Sequence, residues 1–170
     1  MKHFLLIVGC LCAASSAVAQ APNPFMSELK QFYTVRKGDL LKAADRMPAA
    51  DYDFKPTPDV RTFGQLIAHI ADGQYEFCGP AKGESVNKDV EKTAKTKAAV
   101  VTALKESFAY CDAAYSKMTA ATAAQMVTSF GGQMTRLGVM DFNTAHTMEH
   151  YGNLVTYMRL KGIVPPSSQK

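Results

Sequence analysis

Apolar positions along this chain recur with the period of helices and almost nowhere with the alternation of strands. The clearest stretch is KAAVVTALKESFAYCDAAYSKM, where Val101, Leu104, Phe108, Cys111, Tyr115 and Met118 follow one another at steps of three and four, a single apolar stripe down one helix. Upstream, TFGQLIAHIADGQYEF opens on Thr62 and places Gln65 three residues on, the reciprocal pair that satisfies two free backbone N–H groups at a helix start. Its buried face is expected to hold Phe63, Leu66, Ile67, Ile70 and Phe77. An earlier helix is expected from about Pro24 to Met47, with Phe25, Leu29, Phe32, Leu40 and Ala44 on one side. Pro48 stops it, because proline disfavours helical geometry in the residue before it. A last helix begins between Thr135 and Asp141 and ends at Gly162, and Pro165 and Pro166 prevent a restart.

Long links join these helices: Pro48 to Arg61, Gly79 to about Thr96, and Thr119 to about Met134. MVTSFGGQMT offers a short extended piece around Gly131 and Gly132, but nothing alternates long enough to predict a sheet. The expected fold class is therefore all-α, a four-helix bundle in which each helix turns one apolar face to a shared core. Link length does not decide which helices run parallel, since every link is long enough to return along a helix.

The chain start reads differently. Lys2 precedes FLLIVGCLCAASSAV, an apolar run too short to span a bilayer comfortably, and AVA before Gln20 has the small-x-small pattern that signal peptidase cuts. Residues 1–19 are thus expected to be a signal peptide, and residues 20–170 one exported domain, periplasmic or secreted. Cys10 leaves a lipoprotein reading open, with a poor hydrophobic region before it. No later apolar run approaches the length of a membrane span. With 19 basic and 15 acidic residues, the charge is that of an ordinary soluble domain and lacks a nucleic-acid footprint.

Candidate chemistry concentrates on histidine. Only four are present, and two of them, His146 and His150, stand one helical turn apart in HTMEH. That spacing lets both imidazoles reach one ion. Their face continues through Phe142, Leu154 and Met158, so they are expected to point inward with the apolar stripe. Two satisfied core histidines would read the same way, although each imidazole nitrogen left unpaired inside costs about 1 to 3 kcal/mol. His69 lies between Leu66 and Ile70 on the inward side of the second helix. Three neutral nitrogens with positions left open suit zinc, nickel or ferrous iron. HTMEH also has the H-x-x-E-H form of an inverted zincin. Those peptidases take a third ligand downstream, and the residues after His150 contain no Asp, Glu, His or Cys. Glu149 lies about 60° around the helix from His146 and is the nearest candidate general base. Asp72 and Glu76, one and two turns beyond His69, are placed to hydrogen-bond a ligand or simply to be solvated.

Two segments, YDFKPTPDVRTFGQLIAHIADGQYEFC and NTAHTMEHYGNLVTYMRLKGIVPPSS, resemble the DinB-like superfamily. The resemblance implies an up-down-down-up bundle with parallel second and third helices, and a divalent metal held by His69, His146 and His150. It also implies a small-molecule substrate, since the family includes thiol transferases and a thiol-dependent isomerase, whose low-molecular-weight thiols belong to the reducing cytoplasm that an exported chain leaves. Parallel second and third helices would bring Cys78 and Cys111 close enough for a disulfide, as an oxidising compartment favours. The expected function is that of an exported metal-dependent enzyme, a hydrolase or a transferase. The rival is a non-catalytic bundle with a structural metal, serving as a binding module. A homodimer is compatible with either.

Overall fold

The computed structural model describes residues 23–169, so the signal peptide expected over residues 1–19 lies outside the described residues. Four long helices dominate: α1 (Pro24–Arg46), α2 (Phe63–Lys82), α4 (Lys97–Lys117) and α6 (Arg136–Leu160). Between them come two single-turn helices, α3 (Val90–Thr93) and α5 (Ala120–Ala123), and two strands, β1 (Met126–Ser129) and β2 (Gly132–Thr135). No helix among the described residues is long and apolar enough to cross a membrane.

Cross-helix pairs give the directions. Tyr33 of α1 donates to the Phe108 carbonyl and Lys97 of α4 to the Met47 carbonyl, so α1 and α4 are antiparallel. Gln74 bonds Thr147 while Tyr157, ten residues further along α6, reaches back to the Arg61 carbonyl before α2, so α2 and α6 are antiparallel too. Tyr75 packs on Tyr110, Cys78 meets Cys111, and Ala81 and Lys82 line one pocket with Ala114 and Lys117, so α2 and α4 lie side by side in parallel. The order is up-down-down-up.

The core is filled where the four stripes meet, by Leu40, Ile67, Ile70, Leu104, Phe108 and Leu154 among others, all fully buried. One correction concerns α1. Phe25 and Phe32 are exposed, and the inward place is taken by Tyr33, which stands one heptad before Leu40. The helical phase set by Leu40 and Ala44 outranks the greater hydrophobicity of Phe32. Tyr33 tolerates the interior because its ring stacks on Tyr115 at 3.9 Å and its hydroxyl meets the Phe108 carbonyl and Asp112.

A buried polar layer fixes α6 against α2. The Asn143 amide donates to Gln74 Oε1 at 3.1 Å and to the Tyr115 hydroxyl at 3.2 Å, and Gln74 Nε2 donates to Thr147 Oγ1 at 3.2 Å. These bonds satisfy groups that would otherwise be desolvated at a cost, and only one register makes them together. Beside this layer Cys78 of α2 and Cys111 of α4 are joined as a disulfide, with Cα atoms 5.4 Å apart.

The links differ from the sequence reading in two places. Helix α2 runs on through Pro80 to Lys82 and ends on Gly83 in the left-handed conformation (φ 76°), so the second link starts later. MVTSFGGQMT folds as an antiparallel hairpin with Met126 opposite Thr135 and Ser129 opposite Gly132. Its two-residue turn has φ 52° at Phe130 and 72° at Gly131, the paired positive values of a type I′ turn. Period-two alternation missed it because both strands are four residues long and mostly exposed.

Candidate metal centre

The site is built where two faces with the same four-residue step run in opposite directions. On α2 the face is His69, Gly73, Phe77; on α6 it is His150, His146, Phe142. The Thr62–Gln65 capping box starts α2 and sets the phase that turns His69 toward α6. Thr135 caps α6 by accepting from the Gly138 N–H. His69 then faces His150, with ring centroids 4.9 Å apart, and Phe77 faces Phe142 at 5.3 Å.

Between those pairs Gly73 faces His146. A Cβ on Gly73 would lie 2.9 Å from His146 Cε1 and 3.2 Å from its Nδ1. Only glycine leaves room for the imidazole at this point of the helix. Phe77 closes the other side, edge-on to the His146 ring at 5.1 Å.

The three imidazoles converge through their Nε2 atoms. His146 Nε2 is 3.2 Å from His69 Nε2 and 3.0 Å from His150 Nε2, and one ligand atom from each ring lies within 4.8 Å of the others. Neutral rings offer one lone pair each, so a single proton on His146 can satisfy only one of these contacts. Nitrogens bound about 2.0 to 2.1 Å from a common ion lie roughly 3 Å apart at tetrahedral or octahedral angles. The donor set and its spacing therefore fit a divalent cation.

Electrostatics keeps the rings in the ligating state. Burial, then the neighbouring His150 and His69, hold the His146 pKa down to about 3. Burial also lowers His69, helped by Arg61 and opposed by Glu91, Asp72 and Glu76. His150 is lowered by burial and by His69, against the opposing charge of Glu149. All three are neutral at neutral pH, as a metal ligand must be.

The histidines are half-buried at the bundle's edge, not within its core as the stripe predicts. The fully inward positions of α6 are Val139, Met140, Asn143, Thr147, Leu154 and Met158, and Phe142 is exposed. Two polar residues hydrogen-bonded across the core occupy the stripe, which displaces the histidines to one flank. Glu149 is exposed and bears on His150 through its charge. Asp72 is engaged elsewhere, accepting from the Val90 N–H at 2.7 Å and the Glu91 N–H at 2.9 Å. Glu76 is exposed.

Residues that the sequence reading passes over surround the cluster. Glu91 is held by Asp72 through its backbone, accepts from Arg61 Nε at 3.0 Å, and brings Oε2 to 3.8 Å from His69 Nδ1. The Asn153 amide stands 3.5 Å from His150 Nδ1. Glu91 comes from α3, a single turn in a polar link, and no local pattern marks it. Gly73 carried a signal, being one turn after His69.

A family model described as the DinB superfamily matches residues 31–154. Among solved structures, a DinB-like protein of Bacillus cereus superposes with a TM-score of 0.72 at 16% identity, covering 82% of this chain and 95% of the other. A DinB-like protein of Bacillus subtilis gives 0.69 at 18% identity, covering 84% and 98%. A mycothiol-dependent maleylpyruvate isomerase gives 0.61 at 14% identity, covering 76% of this chain and 59% of its own. No curated protein sequence matches the chain. At these identities the likenesses speak for the fold.

Proposed function

The chain belongs to the DinB superfamily, and from that premise we propose that it is an exported enzyme using a divalent ion, held by His69, His146 and His150, to act on a small substrate. The observation that carries this reading is the convergence of three Nε2 atoms with contacts of 3.0 and 3.2 Å. Among the described residues no fourth His, Cys, Asp or Glu joins the group. A purely structural site would be closed by a fourth protein ligand.

A zinc, nickel or ferrous ion there would supply Lewis acidity, toward water in a hydrolytic reaction or toward a thiol in a transfer reaction. The protein's own part is to present three neutral nitrogens, fix the His146 ring between Gly73 and Phe77, and leave the outer side accessible. The mycothiol-dependent neighbour supports a thiol as one group for which the fold has room. Export is supported by the apolar start of the chain and by the bonded Cys78–Cys111 pair, which an oxidising compartment maintains.

Cobalt substitution tests the open site. Azide or imidazole should perturb the visible spectrum of the cobalt protein. A spectrum indifferent to both would make the site structural and overturn the enzymatic reading.

A further inference from the structure

Three phenyl rings continue the histidine face away from the imidazoles. Phe77 is edge-on to His146 at 5.1 Å, Phe142 is edge-on to Phe77 at 5.3 Å, and Phe130 meets Phe142 at 4.7 Å and Phe77 at 5.4 Å. They come from three elements: α2, α6 and the tip of the hairpin. Phe77 is 3% exposed, whereas Phe142 is 43% and Phe130 is 53% exposed. The cluster is thus a wall with a buried root against a histidine and an outer face open to solvent. Small-molecule sites are lined predominantly by hydrophobic and aromatic side chains beside a few placed polar groups, and here the phenyl rings adjoin the three imidazoles.

Phe130 carries a second, independent signal. It sits at φ 52° in the first central position of a type I′ turn, where Asn, Asp or Gly is favoured and a bulky side chain is strained. Backbone strain of this kind persists where the surroundings hold it, and it clusters at ligand clamps. The hairpin places a large apolar ring at the one position of the turn that best suits a small polar residue, and that ring packs on the wall beside the histidines.

We propose that Phe77, Phe130 and Phe142 form an apolar subsite that receives an aryl or branched alkyl group of the substrate while its polar group reaches the histidine nitrogens. The proposal rests on the reading of the histidines as an open metal site. It assigns the substrate class: a compound with a hydrophobic group adjoining its reactive polar centre, not a small wholly polar molecule. The hairpin then serves as the specificity element, with Phe130 selecting for apolar bulk.

A matched pair of probes tests this on the intact metal-loaded protein. Imidazole offers the nitrogen alone; 4-phenylimidazole adds a ring for the wall. In the cobalt form, 4-phenylimidazole should bind roughly tenfold more tightly than imidazole, as burial of part of a phenyl ring implies. Phe130→Asn, which suits the turn and keeps the hairpin, should remove most of that preference while leaving imidazole affinity unchanged. Phe142→Ser, on the exposed side of α6, should act in the same direction. Equal affinity for the two probes, or a preference that survives both substitutions, would overturn the subsite. If imidazole itself fails to bind, the open-metal reading falls separately. The wall is then judged on metal-free protein, where only the phenyl compound should shift the Phe130 and Phe142 ring resonances, and unshifted resonances would overturn it.

Discussion

Gly73 and His146 are fitted to each other across the α2–α6 contact: the space a Cβ would fill on Gly73 is occupied, at 2.9 Å, by the edge of the His146 imidazole. Glycine inside a helix costs about 1 kcal/mol relative to alanine, so Gly73→Ala would stabilise an ordinary helix. Here it should displace His146 from its partners. The expected outcome is a near-neutral change in thermal stability with a roughly 10- to 100-fold loss of metal affinity, the size of effect seen when ligand orientation is disturbed. Calorimetric titration with zinc checks it, and unchanged affinity would mean that the fit does not matter to the site.

The depressed histidine pKa values set a direction for acid stability. Each ring is more readily protonated in the unfolded chain, near pH 6.5, than in the folded protein. Their contribution is therefore fully present above about pH 6.5 and is lost as pH falls from there toward the His146 value of about 3. The metal-free protein should lose stability through this window, and His146→Gln should lose less of it than the wild type. Chemical unfolding at pH 7 and pH 4 measures the difference. Parallel losses in both proteins would contradict the assignment.

Much of this was legible in the chain, and the illegible parts have physical reasons. The stripes of α2 and α4, the Thr62–Gln65 cap and the Gly162 stop are local, so period and cap chemistry sufficed. Phe32 is expected inside and Tyr33 goes unnamed because hydrophobicity does not see that Phe108 and Asp112 satisfy the Tyr33 hydroxyl. The H-x-x-x-H step put His146 and His150 on one side, but their place on the flank depends on Asn143 and Thr147 bonding Gln74 across the core. Glu91 and Phe130 were beyond reach, since each comes to the site on a short link whose path only the folded chain determines.

The Cys78–Cys111 bridge closes a separation of 33 residues. On the chain-entropy account it should contribute about 3 to 4 kcal/mol. Protein unfolded without reductant should show no reactive thiol among the described residues, and the reduced form should melt well below the oxidised one. Titratable thiols at Cys78 and Cys111, or coincident melts, would contradict it.

Asp72 is assigned to α3 and not to the ion. Asp72→Ala removes the acceptor for the Val90 and Glu91 N–H groups, which should cost about 1 kcal/mol of stability. Metal stoichiometry should be unchanged in dialysed protein, because the three histidines remain. Loss of metal from a folded Asp72→Ala variant would restore a direct role for this carboxylate.

The central claim is that His69, His146 and His150 hold one divalent ion. Metal analysis of the natively purified protein beside the His146→Ala/His150→Ala double variant tests it most directly, with circular dichroism to confirm that both are helical. The account predicts close to one divalent ion per chain in the wild type and almost none in the variant; equal, near-zero metal in both would contradict it.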